Sequence, residues 1–153
     1  MITNKTKYAL KALYRLCTLP TDEPVLIAEL AETEQIPRKF LELILVELKQ
    51  HGILKSRKGR GGGYLLAKSP NQVSLADILR ITDGPLAPVP CLHKTTQERC
   101  DDCRDELVCP VRLGFEEAYV EYVRNLEQTT LADMVARVDS SKQKHAPRLR
   151  YSI

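Results

Sequence analysis

Apolar positions recur at helical spacing through most of this chain. Ala9, Ala12, Leu13, Leu16 and Cys17 form the stripe of a first helix that Asn4 or Thr6 can cap and that runs to about Leu19. Pro20 to Pro24 is a break. Leu26, Ile27, Leu30 and Ala31 then predict a short helix to Thr33 with all four side chains turned inward. After a turn at Glu34-Gln35-Ile36, Pro37 suits the first position of the next helix. That helix carries Phe40, Leu41, Ile44, Leu45 and Leu48, and Gly52 is placed to end it. Ile53–Arg57 and Tyr64–Ala67 read as two strands around Lys58-Gly59-Arg60-Gly61-Gly62-Gly63. Ser74, with Asp77 three residues on, opens a fourth helix through Leu75, Ile78 and Leu79 that closes near Asp83-Gly84-Pro85.

Residues 85–110 have no period, and an irregular loop of that length in a compact chain is functional or disordered. Beyond Pro110, Leu113, Phe115, Ala118, Tyr119, Tyr122, Val123 and Leu126 define a long amphipathic helix. So long a helix has little of its own chain to cover, which implies a partner subunit and a two-fold homodimer. Thr130 with Asp133 starts a last short helix through Val138, and the remainder to Ile153 reads as a polar, basic, mobile tail.

Two short helices joined by a tight turn, the second basic at its start, make a helix-turn-helix. In that motif the N-terminal residues of the second helix reach base edges in the major groove, here Arg38, Lys39 and Glu42. A glycine-rich basic hairpin directly after it is a wing, whose Arg57, Lys58 and Arg60 can meet the minor groove. A nucleotide-phosphate loop does not fit, because no Gly-x-x-x-x-Gly-Lys-Ser/Thr spacing is present. The expected architecture is mostly α with a small β wing. It comprises a winged helix-turn-helix domain at 1–84, a cysteine-bearing sensor loop at 85–110, a dimerisation helix and short packing helix at 111–138, and a flexible basic tail at 139–153.

Charge sharpens this picture. The formal net charge is only +3, but from Pro37 to Arg60 seven basic residues stand against Glu42 and Glu47, a local +5. A basic stripe on a mildly acidic body is the footprint of a phosphate-facing surface, so double-stranded DNA is the expected partner. No apolar run approaches a membrane span and the start of the chain lacks an apolar signal segment, so a cytoplasmic protein is expected. No nucleophile–base or carboxylate pair stands at a spacing that points to an enzyme.

Cysteines supply the remaining chemistry. Cys91, Cys100, Cys103 and Cys109 fall within nineteen residues, in a chain expected to sit where thiols are kept reduced. Four thiolates fit an iron–sulfur cluster or tetrahedral zinc. The single Cys-x-x-Cys is flanked by singletons, which suits a loop that orders around a cluster. His93, Asp101 and Asp102 are spare candidate ligands. Cys17, on the first helical stripe, reads as a small buried hydrophobe.

Pro37-Arg38-Lys39-Phe40-Leu41-Glu42, Leu48 to Gly52 and above all Gly59-Arg60-Gly61-Gly62-Gly63-Tyr64-Leu65-Leu66 make the chain similar to the Rrf-two family of winged-helix regulators. The likeness runs from Thr6-Lys7-Tyr8-Ala9-Leu10 to Thr130-Leu131-Ala132-Asp133-Met134-Val135. It implies a homodimer joined by the long helix, a recognition helix in the major groove, a wing in the minor groove, and in some members a [2Fe–2S] or [4Fe–4S] cluster on three loop cysteines. This chain departs from the cluster-bearing pattern. Only Cys103 and Cys109 keep its five-residue gap, and the positions where relatives offer a histidine or aspartate ligand hold Arg112 and Tyr8. Cys100 is the natural substitute. The expected function is a homodimeric sequence-specific DNA-binding repressor controlled by an iron–sulfur cluster. The alternatives are a zinc- or thiol/disulfide-based redox regulator on the same fold and a winged-helix adaptor that binds protein.

Overall fold

The computed structural model describes residues 2–20, 23–93 and 98–145. In chain order it forms α1 (Asn4–Cys17), α2 (Ile27–Glu34), α3 (Arg38–Gln50), β1 (Leu54–Arg57), β2 (Gly63–Leu66), α4 (Leu75–Thr82), α5 (Pro110–Gln128) and α6 (Leu131–His145). Short 3₁₀ turns stand at Pro70–Gln72 and Pro90–Leu92. The architecture is therefore mostly α with one small antiparallel sheet, as the periodicity predicts.

The helical stripes converge on one core. Ala9, Ala12, Leu13 and Leu16 of α1 meet Leu30 of α2, Leu41, Ile44, Leu45 and Leu48 of α3, Ile78 of α4 and Leu131 of α6. Each fully buried leucine contributes about 1.5–3 kcal/mol relative to exposure, which fixes the bearing of α3 against α1 and α2. The sheet pairs Leu54 with Leu66 and Arg57 with Gly63, so residues 58–62 form its tip. Val25 adds a one-residue third edge: it exchanges two 2.9 Å backbone hydrogen bonds with Tyr64.

Several boundaries differ from the sequence expectation. Neither Asn4 nor Thr6 caps α1; Thr3 does, accepting from the Thr6 amide. Thr6 is fully buried, its hydroxyl bonded to that of Thr82, so α1 is stitched to α4. Leu26 is not inward-facing but 56% exposed, as the residue that caps α2. Pro37 precedes α3 as its N-cap instead of opening it. Each strand sits one residue off its expected bounds: Ile53 lies outside β1 and Gly63 joins β2, which ends at Leu66.

The last helix is longer than expected. It continues through Asp139–His145, where a mobile tail is predicted, and Lys142 docks it by donating to the Tyr14 hydroxyl at 3.0 Å over that ring. Residues 146–153 of the expected tail, 21 and 22 of the expected break and 94–97 of the sensor loop lie outside the described residues. Ser74 with Asp77 and Thr130 with Asp133 cap α4 and α6 in the reciprocal manner their spacing predicts.

Candidate functional site

α2 ends with Gln35 in the left-handed conformation, and Ile36 tucks into the core before Pro37 releases α3. Since α3 buries Leu41, Ile44, Leu45 and Leu48, its opposite face must look outward. Lys39 is exposed on that face, and Arg38, Glu42 and Lys49 are exposed on its flank. The wing follows directly, with Arg57 at the end of β1 and Lys58 and Arg60 on the tip, all exposed.

The wing's shape rests on two glycines. A Cβ on Gly62 would stand 2.3 Å from the Arg57 carbonyl oxygen, and one on Gly63 would stand 2.3 Å from the Val25 carbonyl oxygen. At these two positions the close approach is to the chain's own backbone.

Electrostatics favour an anionic partner. Among the described residues, none of Arg38, Lys39, Lys49, Lys55, Arg57, Lys58 and Arg60 pairs with a carboxylate. Two of the acidic residues nearby, Glu47 and Glu34, are engaged from behind. Lys5 of α1 holds Glu47 of α3 at 2.7 Å, and Lys11 donates to the Glu34 carbonyl at the end of α2. These two lysines brace the helix-turn-helix against α1 and leave its outer cations uncompensated.

The four loop cysteines line one cavity of about 460 Å³ that opens beside the start of α5. Cys91 lies in the Pro90–Leu92 turn, the Cys103 amide donates to the Cys100 carbonyl at 3.0 Å, and Cys109 caps α5. All four are half-buried free thiols. Partial desolvation, a hydrogen bond with the Cys100 side chain and the nearby charges of Cys100 and Cys109 raise the Cys91 thiol, against the lowering influence of Arg112. One carboxylate ties the loop together: Glu106 receives Arg112 of α5 at 2.9 Å and Arg99 at 3.3 Å. The donor set fits an iron–sulfur cluster in type and number, and one cavity serves all four thiols. Among the described residues, no three His, Cys, Asp or Glu side chains are grouped so as to hold a metal ion. His93 does not line this cavity. It sits in the adjoining one with Arg99, Glu106 and Arg112. Asp102 lines the cysteine cavity and Asp101 does not.

α5 turns Val123 into its own body, while Val111, Leu113, Phe115 and Tyr122 stay exposed. Phe115, Tyr119 and Tyr122 line an apolar groove of about 450 Å³ with Ile2, Leu79 and Leu86. Among the described residues, no helix is long and apolar enough to cross a membrane.

A sequence model of the Rrf2 family, described as iron-dependent transcriptional regulators, matches residues 2–137. The chain belongs to the Rrf2 family. Among its Rrf2-type relatives, an rrf2-like HTH-type transcriptional regulator of Rhodobacter capsulatus is 44% identical over 139 residues, covering 89% of this chain and 93% of the relative. The HTH-type transcriptional regulator NsrR of Halalkalibacterium halodurans is 30% identical over 138 residues, covering 90% and 92%. The solved structure of CymR, the global cysteine regulator of Bacillus subtilis, superposes with a TM-score of 0.73 at 26% identity, over 90% of this chain and 97% of that one. This Rrf2 member is accordingly a transcriptional regulator and not an enzyme.

Two features of this Rrf2 chain escape the sequence reading. Leu43 and Val46 of α3 are 67% and 39% exposed. Their signal was available, since both fall outside the 41-44-45-48 stripe. The Val25–Tyr64 bridge had no such signal, because it joins a loop to a strand thirty-nine positions away.

Proposed function

We propose that this chain is a homodimeric, sequence-specific DNA-binding repressor whose operator affinity is set by an iron–sulfur cluster on the cysteine loop. The observation that carries the DNA-binding reading is the set of exposed, unpaired cations on the first turn of α3 and on the wing. Lys39 and Arg38 reach phosphates or guanine edges, and Glu42 accepts from cytosine and penalises other bases. Arg57, Lys58 and Arg60 enter the minor groove. The exposed apolar face of α5 covers its counterpart in a second copy, so that two recognition helices meet successive major grooves.

The cysteine cavity supports the sensing half. Cys91, Cys100, Cys103 and Cys109 would hold the cluster, with Cys100 in place of a non-cysteine ligand. When bound, the cluster supplies a centre whose loss or oxidation releases the thiolates. Glu106, through Arg99 and Arg112, ties the segment that carries Cys100 and Cys103 to the start of α5. A change in the loop is thereby passed to the helix that spaces the half-sites.

Anaerobic gel shifts test both halves on the same preparation. The iron- and sulfide-bearing protein is expected to bind promoter DNA differently from the chelator-stripped one. Lys39→Ala with Arg60→Ala should weaken binding at least tenfold and flatten the dependence on salt by about two phosphate contacts. Unchanged affinity in that double variant sinks the docking; a colourless preparation with stoichiometric zinc sinks the cluster.

A further inference from the structure

We propose that Leu43 and Val46 of α3 form an apolar reading patch for the C5-methyl groups of thymines on the major-groove floor. The inference rests on the DNA-binding reading above and adds a source of sequence preference that the charged residues do not supply.

At about 100° per residue, the buried stripe of α3 centres between Leu41, Ile44, Leu45 and Leu48. The face directly opposite is Lys39, Leu43, Val46 and Gln50. Arg38, Glu42 and Lys49 lie on its flank. The two apolar side chains therefore sit in the middle of the outward face, where a helix laid in a groove is deepest, and the described residues leave Leu43 67% exposed. Cations border the pair and none is compensated among the described residues, so the surrounding field fits a polyanion. Two side chains are also too small a patch for a stable protein partner, which takes about 800 Å² from each side. Within a major groove the apolar group on offer is the thymine methyl, and aliphatic side chains contact it.

Replacing thymine by deoxyuridine removes that methyl and leaves every hydrogen-bonding group in place. The full-length protein is first used to enrich duplexes from a randomised pool, and the enriched duplex is then remade with uracil at each thymine of a half-site in turn. At one or two of these positions wild-type affinity is expected to fall about fourfold, the value of one buried methyl. Leu43→Gln combined with Val46→Thr should bind the thymine and uracil duplexes equally. It should also keep wild-type affinity for unrelated DNA at low salt, which reports that α3 is intact. Lys39→Ala, by contrast, should weaken both duplexes and preserve the fourfold ratio. Equal wild-type affinity for thymine and uracil duplexes overturns the patch while leaving the DNA-binding reading in place, as does a Leu43→Gln Val46→Thr variant that retains the uracil penalty. Failure to retain any DNA at low salt overturns both.

Discussion

Cys17 and the loop cysteines are one residue type in two situations. Cys17 packs against the core from α1, and burial pushes its thiol up to about 11. The thiolate is the nucleophile, so at pH 8 this group is almost wholly protonated and inert. Its alkylation by iodoacetamide in the native protein should climb about tenfold per pH unit and level off only near 11; a rate already at its plateau at pH 8 in the folded chain contradicts the burial. The Asp83 carboxyl shows the opposite balance. Partial desolvation raises it, but hydrogen bonds from Thr3 and Thr6 and the charge of Lys5 outweigh that and hold it below its ordinary value. The contribution of this contact is therefore present above the unfolded carboxyl range and is lost as pH falls through the folded value. What it secures is the start of α1 against the end of α4.

At the scale of elements, the wing depends on backbone fit more than on side chains. Gly62→Ala places a methyl against two carbonyl oxygens that belong to the same hairpin, so the tip must open. We expect a loss of about 1–3 kcal/mol in urea unfolding, together with weaker DNA retention; an unperturbed midpoint means that the hairpin does not close as described. The elements that were legible in the sequence owe it to local chemistry. α3 announces itself through its stripe and through Pro37 and Gly52, and α4 and α6 through their Ser/Thr-x-x-Asp starts. Those that were misjudged depend on contacts between distant residues. Thr6 is a plausible cap by type, but its hydroxyl is taken by Thr82, and the cap passes to Thr3. The extension of α6 past Val138 carries no apolar period, and the Lys142–Tyr14 contact that ties it to α1 joins residues far apart in the chain. In the same way the sequence places four cysteines in one loop but does not reveal that they share one cavity, because that requires Cys109 at the head of α5 to come back to Cys91.

For the whole molecule, the question is what covers α5. Val111, Phe115 and Tyr122, which share one side of α5, leave an apolar face of a kind that monomers rarely expose in continuity. Phe115→Glu with Tyr122→Glu is expected to convert a dimer to a monomer in sedimentation equilibrium, with operator affinity falling at least tenfold as the half-sites lose their linkage. An unchanged dimer assigns that face to another partner. The Val25–Tyr64 bridge acts at the same scale. Val25 immediately precedes the cap of α2, so the bridge ties the wing to the helix-turn-helix by backbone hydrogen bonds on both sides. On the DNA-binding reading proposed above, the wing and the recognition helix are thereby tied together like the jaws of a calliper. A calliper does not adjust to what it measures, so a duplex whose groove widths or twist depart from its setting must itself bend or wind to fit. Base pairs that no side chain touches would then be selected by their stiffness.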